Sequence, residues 1–326
     1  MDTHVKYLGL DLQSPIVAGS SGKTANIDNL CKLEDAGAGA VVLKSIFEEQ
    51  IINDIKRNTQ MVAPEDNYGV SYEYIAAHVA DDSMAQYFKL IREAKQRLGI
   101  PVIGSINCFS KDKWLSYASQ FQESGCDALE LNMAILPCDV AMTAADVERT
   151  FQEIVQTICK SVTIPVSIKV GPYFTDLARF MQWLSWSEIK GITMFNKSIQ
   201  YDIDVEKEQI VAADSLSNAE ELYNTIRWTA ILSKKLRCNL SATTGVQTGE
   251  DVVKLLMAGA TTVQVASSLY RNGVEYMKTL NDGLRGWMER KGYERIDQFQ
   301  GKLAMKANDN ASLLLRTQFM RYFAEI

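Results

Sequence analysis

Eight times along the chain a short run of β-branched or aliphatic residues closes on a polar residue and gives way to a stretch with helical spacing. The runs are 15–19, 40–44, 102–107, 128–132, 166–169, 191–196, 239–243 and 262–267. Strand followed by crossover helix, repeated, is the pattern of parallel βαβ units. The intervening periods agree. Val147, Phe151, Ile154, Val155, Ile158 and Val162 fall on one helical stripe, and Met84, Phe88, Ile91 and Leu98 form another before the third strand. Helices also fit 26–36, 114–124, 175–189, 218–236 and 249–258, with Gly37, Gly99, Gly125 and Gly259 where C-terminal stops belong. Eight such strands close into a (β/α)8 TIM barrel without leaving an exposed edge. The competing doubly wound open sheet lacks its G-x-G-x-x-G after the first strand.

Residues 1–292 therefore read as one barrel, with a helix over 274–292, and 293–326 as an appendage docked on it. The longest gaps follow strands two, four and six. Residues 46–82, 133–143 and 197–217 are thus expected at the C-terminal mouth, as lid and substrate loops.

Composition narrows the partners. The chain has 326 residues, 47% of them hydrophobic, enough for a large core. Its 34 basic against 40 acidic side chains give a net charge of −6 with no long single-sign run, so nucleic acid is not an expected partner. Cys31, Cys108, Cys126, Cys138, Cys159 and Cys238 are never closer than 12 residues, which excludes a C-x-x-C zinc or iron–sulfur motif in this chain. With only His4 and His78, no multi-histidine metal centre is expected and Ser-His-Asp chemistry would rest on His78. Neither a stretch of about 18 apolar residues nor a signal-peptide block occurs, so a cytoplasmic protein without membrane contact is expected.

Strand ends of such a barrel converge on its mouth, and here all are polar: Ser20, Lys44, Asn107, Asn132, Lys169, Asn196, Thr243 with Thr244, and Ser267 with Ser268. Their coincidence points to a ligand site. Lys44 and Lys169 end apolar runs, where an ammonium is costly unless an electron-rich group lies beside it. The segments 240–253 and 258–268 carry the small residues and hydroxyls of a phosphate cradle between strands seven and eight. By contrast, Gly22-Lys23-Thr24 resembles the end of a nucleotide P-loop, but the required first glycine is Val17, and the helix pattern starts only near Asn26.

These residues together resemble the dihydroorotate dehydrogenase family over roughly 7–275. The likeness rests on 14–22, Val42-Leu-Lys-Ser45, Ala128-Leu-Glu-Leu-Asn132, Ser167-Ile-Lys-Val170, Phe195-Asn196, 243–251 and 259–265. It implies an FMN-dependent (β/α)8 barrel. By the resemblance, Gly19 and Ser20 lie against the isoalloxazine, Lys44 and Ser45 contact flavin and substrate, Lys169 stands near the flavin N1–C2 edge, and Asn132 and Asn196 hold the substrate. Thr243, Thr244, Gly245, Ser267 and Ser268 match the phosphate segments, and Asn107 joins the cofactor set.

The sequence departs from the family where substrate is handled. The soluble members' base is the cysteine of Asn-Leu-Ser-Cys-Pro-Asn, whereas here the loop reads Asn132-Met-Ala-Ile-Leu-Pro-Cys138, three residues displaced. Cys138 is the candidate base, with Lys44 and Lys169 setting the electrostatics. The substrate loop aligns with Asp66-Asn-Tyr-Gly-Val-Ser-Tyr72, which offers Asn67, and the family's Ser/Thr after Asn196 is Lys197. The expected reaction is oxidation of a CH–CH bond in a small cyclic substrate, dihydroorotate or a close relative. Two alternatives stand beside it: a Schiff-base lyase using Lys169 or Lys44, and a flavin-binding barrel that has lost its dehydrogenase activity. A homodimer, and either a partner subunit or a soluble acceptor for the electrons, are consistent with the resemblance.

Overall fold

The alternation read from the sequence closes on itself. In the computed structural model, which describes residues 1–47, 72–107, 111–133, 135, 138–198, 200–306 and 309–323, eight parallel strands form the ring: β1 (Ile16–Ala18), β2 (Ala40–Val42), β3 (Val102–Asn107), β4 (Ala128–Met133), β5 (Val166–Val170), β6 (Gly191–Met194), β7 (Asn239–Thr243) and β8 (Thr262–Val265). Each pairs with the next, and β8 returns to β1 through Val263↔Ile16, so the barrel has no free edge.

Helices cover the outside: α1 (Ile27–Asp35), α2 (Tyr72–Arg97), α3 (Lys111–Glu123), α4 (Ala144–Ser161), α5 (Leu177–Leu184), α6 (Glu221–Leu232) and α7 (Gly249–Ala258), then α8 (Ser267–Asn272), α9 (Tyr276–Lys291) and α10 (Ala311–Phe323). The stripe Val147, Phe151, Ile154, Val155 and Ile158 of α4 is buried, as its spacing predicts. Its start is fixed by a capping box in which Thr143 and Asp146 satisfy each other's backbone N–H. The helix before β3 begins at Tyr72, earlier than the apolar period indicated, so the insertion after β2 is helical from there on.

Inward and outward residues alternate along each strand. Outward Ile16, Val41, Leu129, Ile168 and Val263 join the helices in one core. Inward, Val17, Ala40, Val42, Ile103 and Ala128 pack against Tyr7, Leu8 and Leu12 of an antiparallel hairpin (Val5–Tyr7 with Leu10–Leu12), which plugs the N-terminal end. Above that floor the interior turns polar, with Ser105, Glu130, Ser167, Thr193, Ser241 and Gln264 all buried. Packed barrels normally fill this space with Val, Ile and Leu. The polarity increases toward the C-terminal mouth.

The insertion after β6 forms a second hairpin (Tyr201–Asp204 with Gln209–Ala212) whose side chains are mostly exposed. Beyond α9, Phe299 is fully buried, and the backbone N–H groups of Gly301, Leu303 and Met305 donate to the carbonyls of Leu256, Met257 and Ala230. Gly22–Thr24 is a single 3-10 turn capped by Ser21, with no helix opening behind the lysine. Among the described residues no helix is long and apolar enough to cross a membrane.

Candidate active site

At the mouth, the ends of five strands meet. Ser20, one residue beyond Gly19, accepts from the Ser45 N–H at 2.8 Å and bonds the Ser45 hydroxyl at 3.0 Å. Ser45 in turn bonds Ser105 at 2.7 Å and receives the Asn132 amide at 3.4 Å. The Asn196 amide donates to Asn132 Oδ1 at 2.8 Å. This chain of hydroxyls and amides ties the ends of β1, β2, β3, β4 and β6 into one rim. Gly19 lies flat against β8: its N–H donates to the Val265 carbonyl at 2.9 Å, and a Cβ there would stand 3.4 Å from the Gln264 side chain.

Beside the rim a cavity of about 470 Å3 opens, within the usual range for a small-molecule site. Ser20, Lys169, Asn196, Lys197, Thr243, Thr244, Gly245 and Ser267 line it. Its wall at β7 is a tight turn in which Thr244 (φ 81°) and Gly245 (φ 85°) are both left-handed. Gly245 is required there, because a Cβ would meet the Leu222 backbone nitrogen at 2.3 Å. Thr244 accepts the strain, on the order of 1–3 kcal/mol, and its hydroxyl donates to the Phe195 carbonyl at 2.7 Å. Ser217, at the end of the insertion after β6 and beyond its hairpin, closes the side of the turn. It accepts from the Gly245 N–H at 3.1 Å and donates to Ser267 Oγ at 3.0 Å.

Lys169 gives the cavity its charge. It sits within β5, opposite Asn132 and Thr193 in register, so the pleat aims its stem inward. It is 8% exposed and makes no hydrogen bond or ion pair with any described residue. Burial pushes its ammonium below the usual lysine range, and Glu130 opposes that shift. A cation left without a partner at a cavity wall, across from a small-residue turn, fits an anionic, electron-rich ligand.

The other expected residues are placed differently. Lys44 is exposed: β2 ends at Val42, so the chain has left the barrel wall before the lysine and no pleat holds it inward. The expectation of two desolvated lysines in one cavity holds for Lys169 and is corrected for Lys44. Cys138 is also exposed and is absent from the cavity wall. Asn107 ends β3 half-buried beside Phe47, and Ser268 is buried with its hydroxyl unpartnered among the described residues. Lys197 reaches the cavity already paired with Glu221 at 2.8 Å. Asn67 and Cys108 lie outside the described residues.

Several wall residues were not anticipated from the sequence: Ser21, Phe47, Ser217, Gln264 and Tyr270, whose hydroxyl accepts from the Gly22 N–H at 2.6 Å. For Gln264 a signal existed, since it is a polar residue inside the run Thr-Val-Gln-Val, at an inward position. Tyr270 comes from α8 and had none, whereas Ser217 closes the 197–217 insertion that was expected at the mouth.

A closed parallel barrel carrying a buried lysine and a hydroxyl-rich turn at its C-terminal mouth belongs to the class of barrel enzymes that bind small molecules there. The particular family follows from comparison. The dihydroorotate dehydrogenase family model matches residues 3–288, and the chain belongs to that family. Among curated relatives, the dihydroorotate dehydrogenase B (NAD+) catalytic subunit of Thermoplasma acidophilum is 24% identical over 302 residues, covering 92% of this chain and 98% of the relative. The chloroplastic dihydropyrimidine dehydrogenase (NADP+) of Arabidopsis thaliana is 25% identical over 329 residues, covering 92% and 76%. The fumarate-type dihydroorotate dehydrogenase of Lachancea kluyveri is 25% identical over 325 residues, covering 92% and 97%. The chain is an oxidoreductase of the dehydrogenase class. That places the Schiff-base lyase outside the family's chemistry. The family's enzymes are flavoproteins, and the lysine-bearing cavity suits a flavin.

Proposed function

We propose that the chain binds FMN at this mouth and oxidises dihydroorotate, or a closely related dihydropyrimidine, across its CH–CH bond. The observation that carries the reading is Lys169, a buried cation without a partner among the described residues, on the wall that the Thr243-Thr244-Gly245 turn completes. Bound there, FMN would supply the hydride-accepting ring. The chain's own residues would do the rest.

In this reading Thr244, Gly245 and Ser267 hold the phosphate, whose negative charge suits a turn of small residues. Lys169 supplies a fixed positive charge where the ring becomes electron-rich on reduction. Asn132 and Asn196, already bonded to each other, present amide donors and acceptors to a pyrimidine's alternating N–H and C=O edges. Lys197, tied to Glu221, replaces the family's Ser/Thr and shifts substrate preference among dihydropyrimidines. Cys138 would take the carbon-bound proton, which requires the 133–143 loop to bring its exposed thiol over the mouth.

The test is spectroscopic. The purified protein is expected to carry, or take up, FMN with a visible flavin absorbance, and dihydroorotate added without oxygen is expected to bleach it. Bleaching by dihydrouracil but not dihydroorotate would reassign the substrate. A protein that takes up no FMN would overturn the reading, and one whose flavin no dihydropyrimidine bleaches would be the flavin-binding barrel without dehydrogenase activity.

A further inference from the structure

Strand β4 reads Ala-Leu-Glu-Leu-Asn, and its pleat turns Glu130 into the barrel, where it is 1% exposed. A carboxylate in such a place costs several kcal/mol unless its oxygens are satisfied. Only one of them is. Thr193 Oγ1 donates to Oε2 at 2.9 Å and Gln264 Nε2 donates to the same oxygen at 2.6 Å. Oε1 of Glu130 and Oε1 of Gln264 are both buried without a partner among the described residues.

Lys169 stands on the neighbouring strand, paired in register with Asn132, two residues above Glu130. No ion pair joins cation and carboxylate directly, yet both face the same interior, where attraction is poorly screened. Thr193 links them: it lies opposite Lys169 in register and donates to Glu130. Among the described residues, those bonded to the carboxylate, Thr193 and Gln264, are neutral. Tyr7 lies on the floor, its phenol pushed up by burial and then by Glu130. Lys197 on the cavity wall is matched by Glu221. Among the described residues, Glu130 is the carboxylate that acts on Lys169.

We propose that Glu130, fixed by Thr193 and Gln264, is a positioning residue that keeps Lys169 cationic inside the barrel and so sets the charge offered to the flavin. The inference rests on the flavin reading for its consequence, but its first step concerns two residues of this chain alone. Without the carboxylate, burial dominates and the lysine becomes neutral at lower pH. A neutral lysine no longer stabilises the reduced ring.

Glu130→Gln removes the charge while keeping an oxygen to accept from Thr193 and Gln264. In cofactor-free protein, the ionisation of Lys169 is read from the pH dependence of its acetylation, followed by mass spectrometry of its peptide. The variant's midpoint is expected to fall by about one pH unit or more relative to the wild type. An unchanged midpoint overturns the proposal. With FMN bound, the variant's reduction potential is expected to fall below the wild type only above that lowered midpoint, and not at all in a Lys169→Met background. A potential raised equally at every pH would show Glu130 acting directly on the flavin, and would also overturn it. Should Glu130→Gln fail to fold, Thr193→Val removes one donor from the carboxylate and is expected to move the acetylation midpoint the same way by less; no movement there counts against the proposal. Failure to bind FMN would remove the flavin reading and leave the acetylation result standing.

Discussion

Two left-handed residues in succession show how much a single position contributes. Gly245 cannot carry a side chain, because its φ is +85° and a Cβ would sit 2.3 Å from the Leu222 nitrogen. Gly245→Ala is therefore expected to cost about 2 kcal/mol or more in urea unfolding and to weaken FMN binding. Gly292→Ala, at φ +72° with open space around it, is expected to cost about 1 kcal/mol and leave binding intact. Cys138 is a sharper question. If its thiol is the base, Cys138→Ser slows anaerobic bleaching by about 100-fold or more; an unaltered rate assigns the proton to another group. Lys169 was legible because it closes an apolar run inside a strand, where period-two alternation fixes its direction. Lys44 closes a similar run, yet it stands two residues past its strand's end, and sequence alternation alone does not mark where a strand stops. Glu130 was present in the run that carried the family resemblance, but a lone acidic residue among leucines gives no sign of which face it takes until the register is known.

At the level of elements, all eight barrel strands were readable, because continuous β-branched runs separated by amphipathic helices leave few other arrangements. The N-terminal plug was not. Its turn places Leu8 at φ 55° and Gly9 at φ 84°, a geometry that normally calls for Asn-Gly, and its strands are three residues each. Burial compensates: Leu8 and Leu12 are at most 1% exposed, and the Leu8 N–H donates to Asn239 Oδ1 at 2.9 Å. Leu12→Ala is expected to lower stability by about 2–5 kcal/mol, measured by chemical denaturation. Helix α7 offers a pH-dependent counterpart. At its start Asp251 is partly buried, which raises its pKa, but hydrogen bonds from Lys254, Gln247 and Thr248 outweigh this and hold the carboxyl below the usual aspartate range. A carboxyl depressed in the folded state stabilises fully above its unfolded value, near 4, and loses that contribution as pH falls through the folded value. Asp251→Asn is thus expected to reduce stability at neutral pH by about 1–2 kcal/mol, with the difference from wild type shrinking below about pH 4.

For the molecule as a whole, the C-terminal segment braces the two helices beside the β7 turn. The family match ends at residue 288, yet the chain continues and Phe299 is fully buried against Trp287 and Tyr293, at ring separations of 5.0 and 5.2 Å. The following residues clip onto α6 and α7 through Gly301, Leu303 and Met305, and the Gln300 amide donates to the Ala260 carbonyl at 2.8 Å. Those helices flank the β7 turn: Leu222 of α6 presses on Gly245, and the N-terminus of α7 follows that turn directly. Loosening the clip should therefore be felt at the cavity some distance away, through rigid helices with no direct contact to the ligand. A chain ending at residue 292 is expected to melt at a lower temperature and to bind FMN more weakly, whereas one ending at 306, which keeps the clip and removes α10, is expected to match the full chain in both. Equal melting and equal binding for the shorter chain would mean that α6 and α7 hold the turn unaided. Phe299→Ala, expected to cost about 3–5 kcal/mol, separates the contribution of the buried ring from that of the backbone hydrogen bonds around it.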